Sequence, residues 1–283
     1  MRRIIVGVLW VVLCATSVSA GSREEEAKAA YEKSDYARAI ELTRPFAEQG
    51  QAWAQKNLGW MYDTGNGVPQ DKKQAVLWYR KAAEQGNARA QSNLGRMYGM
   101  GEAVPKDKKE AVMWYRKAAE QGDAVGQFNL GNMYDKGEGV SQDDKKAVEW
   151  FRKAAEQGDA ASQFNLGNMY VEGRGVPKDL KEGAKFHSQA CDGKVMAACF
   201  NLGVMYRDGM GVKQDEFEAA DLYQKACEGE FVLGCHNLAV AYLDGQGRPQ
   251  DEGEALRYLR KGCELKDRDS CQNYANLKKG KLK

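Results

Sequence analysis

The segment NLGWMYDTGNGVPQD, Asn57–Asp71, returns along the chain at a fixed step of 36 residues. Full copies begin at Asn93, Asn129, Asn165, Asn201 and Asn237, and a truncated copy begins at Asn273. A fixed period of this length is the sequence signature of a repeat protein. Each unit of such a protein buries its apolar face only by stacking on its neighbours, so one continuous fold is expected for nearly the whole chain.

Each 36-residue unit has the pattern of two helices. Leu58 and Met61 lie on one face at helical spacing, and Gly65 then ends the first helix because glycine accepts the left-handed conformation of a helix C-terminus. Asp71, with Gln74 three residues later, has the form of a capping box at the start of the second helix. The sequence therefore predicts an all-α, right-handed superhelical solenoid of stacked αα-hairpin repeats.

The repeated motif NLGxMYxxGxGVxxD, followed by a WYxKAAEQG-like helix, resembles the Sel1-like repeat, a relative of the tetratricopeptide repeat. The resemblance implies six such repeats over residues 51–268. Residues 21–50 lack the Gly-Val loop and carry Pro45 within a helical pattern, so they are expected to form a degenerate N-terminal capping repeat. Residues 269–283 are expected to form a C-terminal capping helix with a basic tail.

The first twenty residues differ from the repeats. They carry Arg2 and Arg3, an apolar run over 4–15, and a small-residue end at Ala20. This layout is typical of a secretory signal peptide over 1–20, which would make Gly21 the first mature residue. The alternative is a membrane anchor, but the run of about twelve residues is shorter than the ~20 that span a bilayer. We expect export to a bacterial periplasm or the medium, without stable membrane insertion after cleavage.

Charge and motif content exclude several functions. The chain has 42 Lys and Arg against 40 Asp and Glu, so no nucleic-acid partner is expected. It contains no serine β-lactamase motif, no Gly-x-Ser-x-Gly, no His-Glu-x-x-His and no phosphate-binding loop. Neither a cofactor nor a metal is predicted, and no catalytic residue is assigned. His187, one of two histidines, stands where other repeats have Tyr79, Tyr115, Phe151 or Tyr223, so a packed ring is expected.

Six cysteines remain once Cys14 leaves with the signal segment. In the 36-residue register each repeat has either Ala with Gln or Cys with Cys, never a mixture, so we predict disulfides across the helix–helix turns. A redox site would need a C-x-x-C motif, and zinc would need closer ligands, usually with histidine. The predicted pairs are Cys191–Cys199, Cys227–Cys235 and Cys263–Cys271; the earlier repeats have Ala47 with Gln55, Ala83 with Gln91, Ala119 with Gln127 and Ala155 with Gln163.

Cysteine-paired units of this kind resemble the Helicobacter cysteine-rich protein family. That family has carried a β-lactamase and penicillin-binding label. The resemblance therefore adds an alternative function, the binding or hydrolysis of β-lactams or peptidoglycan fragments.

The first helix of each repeat is expected to line a concave groove that holds a protein or peptide partner. One stripe of these helices varies between repeats and carries aromatic, basic and amide side chains; the alternative is that its phenylalanines fill the inner core. The predicted groove residues are Trp53, Trp60, Arg89, Arg96, Phe128, Asn132, Phe164, Asn168, Phe200 and Arg207.

A recurring asparagine is a poor helix former and so needs a use. It either bonds a neighbouring helix or forms an amide ladder that grips a peptide backbone. The residues of this ladder are Asn57, Asn93, Asn129, Asn165, Asn201 and Asn237. The favoured function is an exported scaffold that binds a protein or peptide, and a purely structural envelope component is a third possibility.

Overall fold

The computed structural model describes residues 22–280, and within them the chain is all-helical. Helix α1 covers residues 22–32. The predicted all-α fold of repeated helical hairpins is confirmed, while the predicted signal peptide, the start at Gly21 and the end of the basic tail lie outside the described residues. The helices that follow are α2 (Tyr36–Glu48), α3 (Ala52–Thr64), α4 (Lys72–Glu84), α5 (Ala88–Met100), α6 (Lys108–Glu120), α7 (Ala124–Lys136), α8 (Asp144–Glu156), α9 (Ala160–Glu172), α10 (Leu180–Asp192), α11 (Met196–Asp208), α12 (Glu216–Glu228), α13 (Val232–Asp244), α14 (Glu252–Glu264) and α15 (Arg268–Leu277).

The helix ends follow from the repeated residues. Gly65 ends α3 in the left-handed conformation, with φ of 80°, and its N–H donates to the Met61 carbonyl. The Asp71 carboxylate accepts the N–H groups of Lys73 and Gln74 at 2.9 and 3.1 Å, which caps α4. These two signals recur in each repeat and set the length of its helices.

A second glycine holds the loop between the two helices of a hairpin close to the preceding hairpin. Gly67 has a φ of 76°, and a Cβ there would collide with the carbonyl of Tyr36 at the start of α2. Gly175 lies in the same way against the Asp144 carbonyl at the start of α8. The loop glycine therefore allows a close approach of two backbones as well as a turn.

In several hairpins the core depends on a glycine of the first helix that faces an aromatic ring of the second helix. A Cβ at Gly59 of α3 would lie 2.7 Å from Cδ1 of Tyr79, and a Cβ at Gly203 would lie 2.8 Å from Cε1 of Tyr223. At the same position of α13 stands Ala239, and the facing residue is a leucine, Leu259, instead of a ring. The glycine of the NLG motif thus makes room for the ring of the second helix.

The chain divides into two compact units. The N-terminal unit contains the described residues up to 133 together with 137–141, and the C-terminal unit contains 134–136 together with the described residues from 142. The three disulfides lie in the C-terminal unit.

Candidate functional site

The first helices of the hairpins in the N-terminal unit bring aromatic and cationic side chains together on one face. Tyr31 of α1 and Trp60 of α3 meet edge to face, with ring centroids 5.3 Å apart. Lys56 of α3 places Nζ 5.5 Å from the Tyr31 ring centroid, and Lys28 of α1 places Nζ 5.0 Å from the ring centroid of Trp53. Aromatic and cationic groups therefore alternate over this face.

Two cations lie near each other on this face, and one of them is unpaired. Lys56 is half-buried and makes no ion pair within residues 22–280. Burial, and then the positive charge of Arg89, lower the pKa of the Lys56 amine. The Arg89 side chain is 55% exposed and reaches Asp123 at 3.5 Å. We call Tyr31, Trp53, Lys56, Trp60 and Arg89 the inner basic–aromatic patch.

Arg96, another predicted groove residue, belongs to an intramolecular ion network. Its guanidinium bonds the buried Asp63 carboxylate and lies 2.7 Å from Glu102. Lys72 also pairs with Asp63, and it lies 3.3 Å from Glu102. The hydroxyl of Tyr79 reaches Asp63 at 3.4 Å. The network joins α3, α4 and α5, so the charge of Arg96 is already compensated.

Two phenylalanines of the predicted groove pack against the second helix of their own hairpin. The ring centroid of Phe164 lies 5.7 Å from that of His187, and Phe200 lies 5.8 Å from Tyr223. Phe164, Phe200 and Phe128 are all half-buried. These contacts favour the core alternative for Phe164 and Phe200, although part of each residue stays accessible.

The recurring asparagines make short-range hydrogen bonds where their partners are defined. The amide of Asn201 donates to the Oδ1 of Asn168 at 3.2 Å, which links a ladder residue of α11 to a groove residue of α9. Asn129 donates to the Val125 carbonyl of its own helix at 2.9 Å. Asn57 is buried, while the other ladder residues Asn93, Asn165 and Asn237 and the groove residue Asn132 are half-buried. These bonds favour the packing use of the asparagine.

The three predicted disulfides are present across the helix–helix turns. Their Cα atoms lie 4.7 Å apart at Cys191–Cys199 and 4.5 Å apart at both Cys227–Cys235 and Cys263–Cys271. In the repeats without cysteine, the glutamine amide crosses the same turn and donates to the alanine carbonyl. These bonds run from Gln55 to Ala47 at 3.1 Å, Gln91 to Ala83 at 3.0 Å, Gln127 to Ala119 at 3.2 Å and Gln163 to Ala155 at 3.3 Å.

A hairpin junction is the place where the two helices of one hairpin meet the first helix of the next. Different side-chain interactions occupy the equivalent positions of successive junctions. The Asp63 network occupies the junction after α3, and the next has an ion pair of Lys108 with Glu138 at 2.6 Å. The third pairs Arg174 with Asp135 at 2.6 Å. At the fourth junction, the buried His187 stands at the position that Tyr79 has in the first one. Burial lowers the pKa of His187 to about 4. The fifth leaves a cavity of about 60 Å³.

Comparison with known proteins identifies the repeat. A family model for the Sel1 repeat matches seven segments that together span most of the chain. The matched residues are 29–51, 54–87, 88–123, 124–159, 160–195, 197–230 and 232–267. The chain belongs to the Sel1 repeat family. The first match falls in the segment expected to cap the N-terminus.

Solved structures of other Sel1 repeat proteins are similar to this chain. A protective antigen of uropathogenic Escherichia coli strains, which displays an SLR fold, is 36% identical over 95% of this chain, with a TM-score of 0.84. This chain spans 58% of the length of that protein. A Sel1 repeat protein from Oxalobacter formigenes is 30% identical, with 85% of this chain and 96% of that chain covered and a TM-score of 0.76.

Helicobacter pylori cysteine rich protein B is 30% identical over 46% of this chain and 94% of that chain, with a TM-score of 0.39. A comparison with curated proteins found no match. Within residues 22–280 of this Sel1 repeat protein, His, Cys, Asp and Glu form no group of three or more that could hold a metal ion. In the same residues, none of the helices has the length and apolarity that crossing a membrane requires.

Two features of this Sel1 repeat protein were missed by sequence reasoning. One is the glutamine–alanine hydrogen bond, which the constant eight-residue spacing of Ala with Gln could have revealed. The other is the junction cavity, for which the replacement of a recurring methionine by Ala241 was the available signal.

Proposed function

We propose that this Sel1 repeat chain is an exported scaffold that binds an acidic segment of a protein or peptide partner at its inner basic–aromatic patch. Export rests on the signal-like residues 1–20 and on three disulfides, which persist in oxidising compartments such as the bacterial periplasm or the medium. In the same proposal, residues 21–50 and 269–283 cap the two ends of the repeat array.

The observation that supports binding is the unpaired charge of Lys56. Taking an ammonium group partly out of water is unfavourable unless an opposite charge compensates it. Arg89 adds a second positive charge nearby instead of an acid. A carboxylate delivered by a partner would compensate Lys56 and would lie near Arg89, whose pair with Asp123 is long at 3.5 Å. The rings of Tyr31, Trp53 and Trp60 offer large contact area beside them.

The proposal is tested with labelled ten-residue peptides of three kinds: acidic, neutral and basic, each with one central tryptophan. Fluorescence polarisation at low and moderate salt gives the affinities. We expect the acidic peptide to bind at least tenfold more tightly than the basic one, and its affinity to fall as salt rises because exposed charges are screened.

Replacement of both cations, Lys56→Gln with Arg89→Gln, should weaken the acidic peptide at least about tenfold, since charged interface pairs contribute on this scale. Lys73→Gln is the matched control, because Lys73 is an exposed lysine in the first turn of α4, the second helix of its hairpin. Equal binding of the three peptides, or full affinity in the double variant, would overturn the proposal.

A further inference from the structure

The three disulfides differ in how closely solvent approaches them. The cysteines of two pairs, between α10 and α11 and between α12 and α13, are at most 1% exposed. Cys263 and Cys271, which join α14 to α15, are both partly exposed. Exchange with an external thiol requires a thiolate to reach one sulfur of the disulfide, so access decides which pair reacts. The α14–α15 disulfide is therefore the pair that an external thiol meets first.

The difference in access comes from the helix that packs over each disulfide. Cys235 lies in a buried cluster with Leu259 of α14, and a Cβ on Gly262 of that helix would lie 3.7 Å from Cβ of Cys235. The α10–α11 pair lies in the same way in a buried cluster with residues of α12. Within residues 22–280, none of the helices covers the α14–α15 disulfide in this manner.

Helix α15 is attached to the C-terminal unit by few buried side chains. Its ten residues bury Ser270 and Leu277, whereas α13, which has the equivalent place in the preceding hairpin, buries five residues. The turn before α15 holds Lys266 in the left-handed conformation, with φ of 69°, which is unfavourable for a residue with a side chain. The disulfide therefore carries a large share of what keeps α15 on α14.

We propose that Cys263–Cys271 is a thiol–disulfide exchange site, at which an external thiol releases α15 from α14. The thiolate attacks one sulfur of the pair, forms a mixed disulfide with it and expels the other cysteine as a thiolate, which takes a proton from water. A second thiol then attacks the mixed disulfide. In total the pair is reduced to two cysteines, and two external thiols are oxidised to one disulfide. The two buried disulfides stay closed.

The order of reduction is measured on the oxidised mature protein. Reduced glutathione is added for increasing times, free cysteines are trapped with N-ethylmaleimide, and peptide mapping locates the label. We expect Cys263 and Cys271 to be labelled at least about tenfold faster than Cys227 and Cys235, because a buried disulfide reacts only after the structure around it opens. Equal rates for the three pairs, or earlier labelling of a buried pair, would overturn the proposal.

Two reductants distinguish the sources of the thiol: glutathione, a small monothiol, and reduced thioredoxin, a protein dithiol. A glutathione adduct on Cys263 or Cys271 assigns the site to small thiols. Opening by thioredoxin at a concentration at which glutathione is inactive assigns it to a protein dithiol. If neither reductant opens the pair in the folded protein, the disulfide is a structural link and the proposal fails.

Release of α15 is measured by hydrogen exchange after selective reduction. The amides of α15 should exchange at least about tenfold faster than in the oxidised protein, because the closed loop of about nine residues is lost. The amides of α12 and α13 should keep their rates, since their disulfides remain. Unchanged protection of α15 would contradict the release, and an equal rise in α12 and α13 would show a general loss of structure instead.

A pair of matched variants tests whether this disulfide alone responds. Cys263→Ala with Cys271→Gln replaces it by the polar link of the earlier repeats, so thiols should no longer change the exchange of α15. Cys227→Ala with Cys235→Gln makes the same change at a buried pair and should leave the response of α15 intact. The opposite pattern would overturn the proposal, and the wild-type measurements decide if a variant does not fold. Neither variant alters the inner basic–aromatic patch, so failure here leaves the acidic-peptide proposal standing, and the reverse also holds.

Discussion

In both units, the turn between one hairpin and the next is bridged by a bond between residues eight positions apart, but the kind of bond differs. In the N-terminal unit the bridge is a hydrogen bond from a glutamine side chain; for example, Gln91 donates to the Ala83 carbonyl at 3.0 Å. In the C-terminal unit three turns use a disulfide, and one, Gln163 to Ala155, keeps the hydrogen bond at 3.3 Å. All seven turns therefore have a link at this position, which is either polar or covalent.

Each of these turns has one residue in the left-handed conformation, and its identity differs between the hydrogen-bonded turns and the disulfide-bonded turns. The hydrogen-bonded turns have glycine there, such as Gly86 with a φ of 89°. The disulfide turns have Lys194, Glu230 and Lys266 instead, with φ of 64°, 64° and 69°. A side chain in this region is disfavoured by about 1 kcal/mol or more. The turns with the less suitable residue are thus the ones that a covalent bond holds closed.

The two units also differ in the residues at their hairpin junctions. Among these, His187 gives the largest expected effect on the free energy of unfolding. In the folded protein, burial disfavours the charged ring and lowers the pKa of His187 from the ordinary 6.5 to about 4. Between these pH values the unfolded chain binds a proton that the folded chain does not. Stability is therefore full above about pH 6.5 and falls toward pH 4, by up to about 3 kcal/mol.

Replacing the histidine by the ring of the preceding repeat, His187→Phe, should remove this loss. Urea unfolding at pH 7 and pH 4.5 measures the difference between variant and wild type, which cancels the titration of other groups. Tyr223→Phe is the control, since tyrosine does not titrate in this range. An identical loss of stability on acidification in wild type and His187→Phe would contradict the buried neutral histidine.

Loss of a disulfide is the next largest effect. Cys227→Ala with Cys235→Ala opens a loop of about nine residues and should destabilise the protein by about 2.5 kcal/mol in the chain-entropy estimate. Cys227→Ala with Cys235→Gln rebuilds the link of the earlier repeats and should recover about 1 kcal/mol of that, the net contribution of one hydrogen bond.

Adding Glu230→Gly supplies the glycine that hydrogen-bonded turns have and should recover about 1 kcal/mol more. Hydrogen exchange of the α12 and α13 amides, under oxidising conditions, reports the local change in each variant. If the alanine pair and the alanine–glutamine pair exchange alike, the two links are not equivalent and the comparison fails.

Sequence reasoning reached the hairpins because they depend on local signals. From α3 onward, the glycine after the first helix of each hairpin and the aspartate before the second helix fix the helix ends by short-range backbone chemistry. The disulfides were also predictable, since both partners of each pair change together. Side-chain links between helices are harder to predict. Arg96 has the same place in the repeat as Asn132 and Asn168, yet it bonds Asp63 because a carboxylate happens to lie there. Such pairings depend on which residues meet in space, and the register alone does not give that.

The smallest predicted effect isolates the polar link itself. Gln91→Ala leaves the buried Ala83 carbonyl without its side-chain donor, and it should destabilise the α4–α5 turn by about 1 kcal/mol. Gln91 also accepts from Gln121 at 2.7 Å, so Gln121→Ala is the necessary control. The Gln121 side chain is exposed, and its loss should cost less than about 0.5 kcal/mol. Urea unfolding of both variants gives the difference. If Gln121→Ala is as harmful as Gln91→Ala, the stabilisation comes from the glutamine–glutamine contact, and the bond across the turn is not the counterpart of the disulfide.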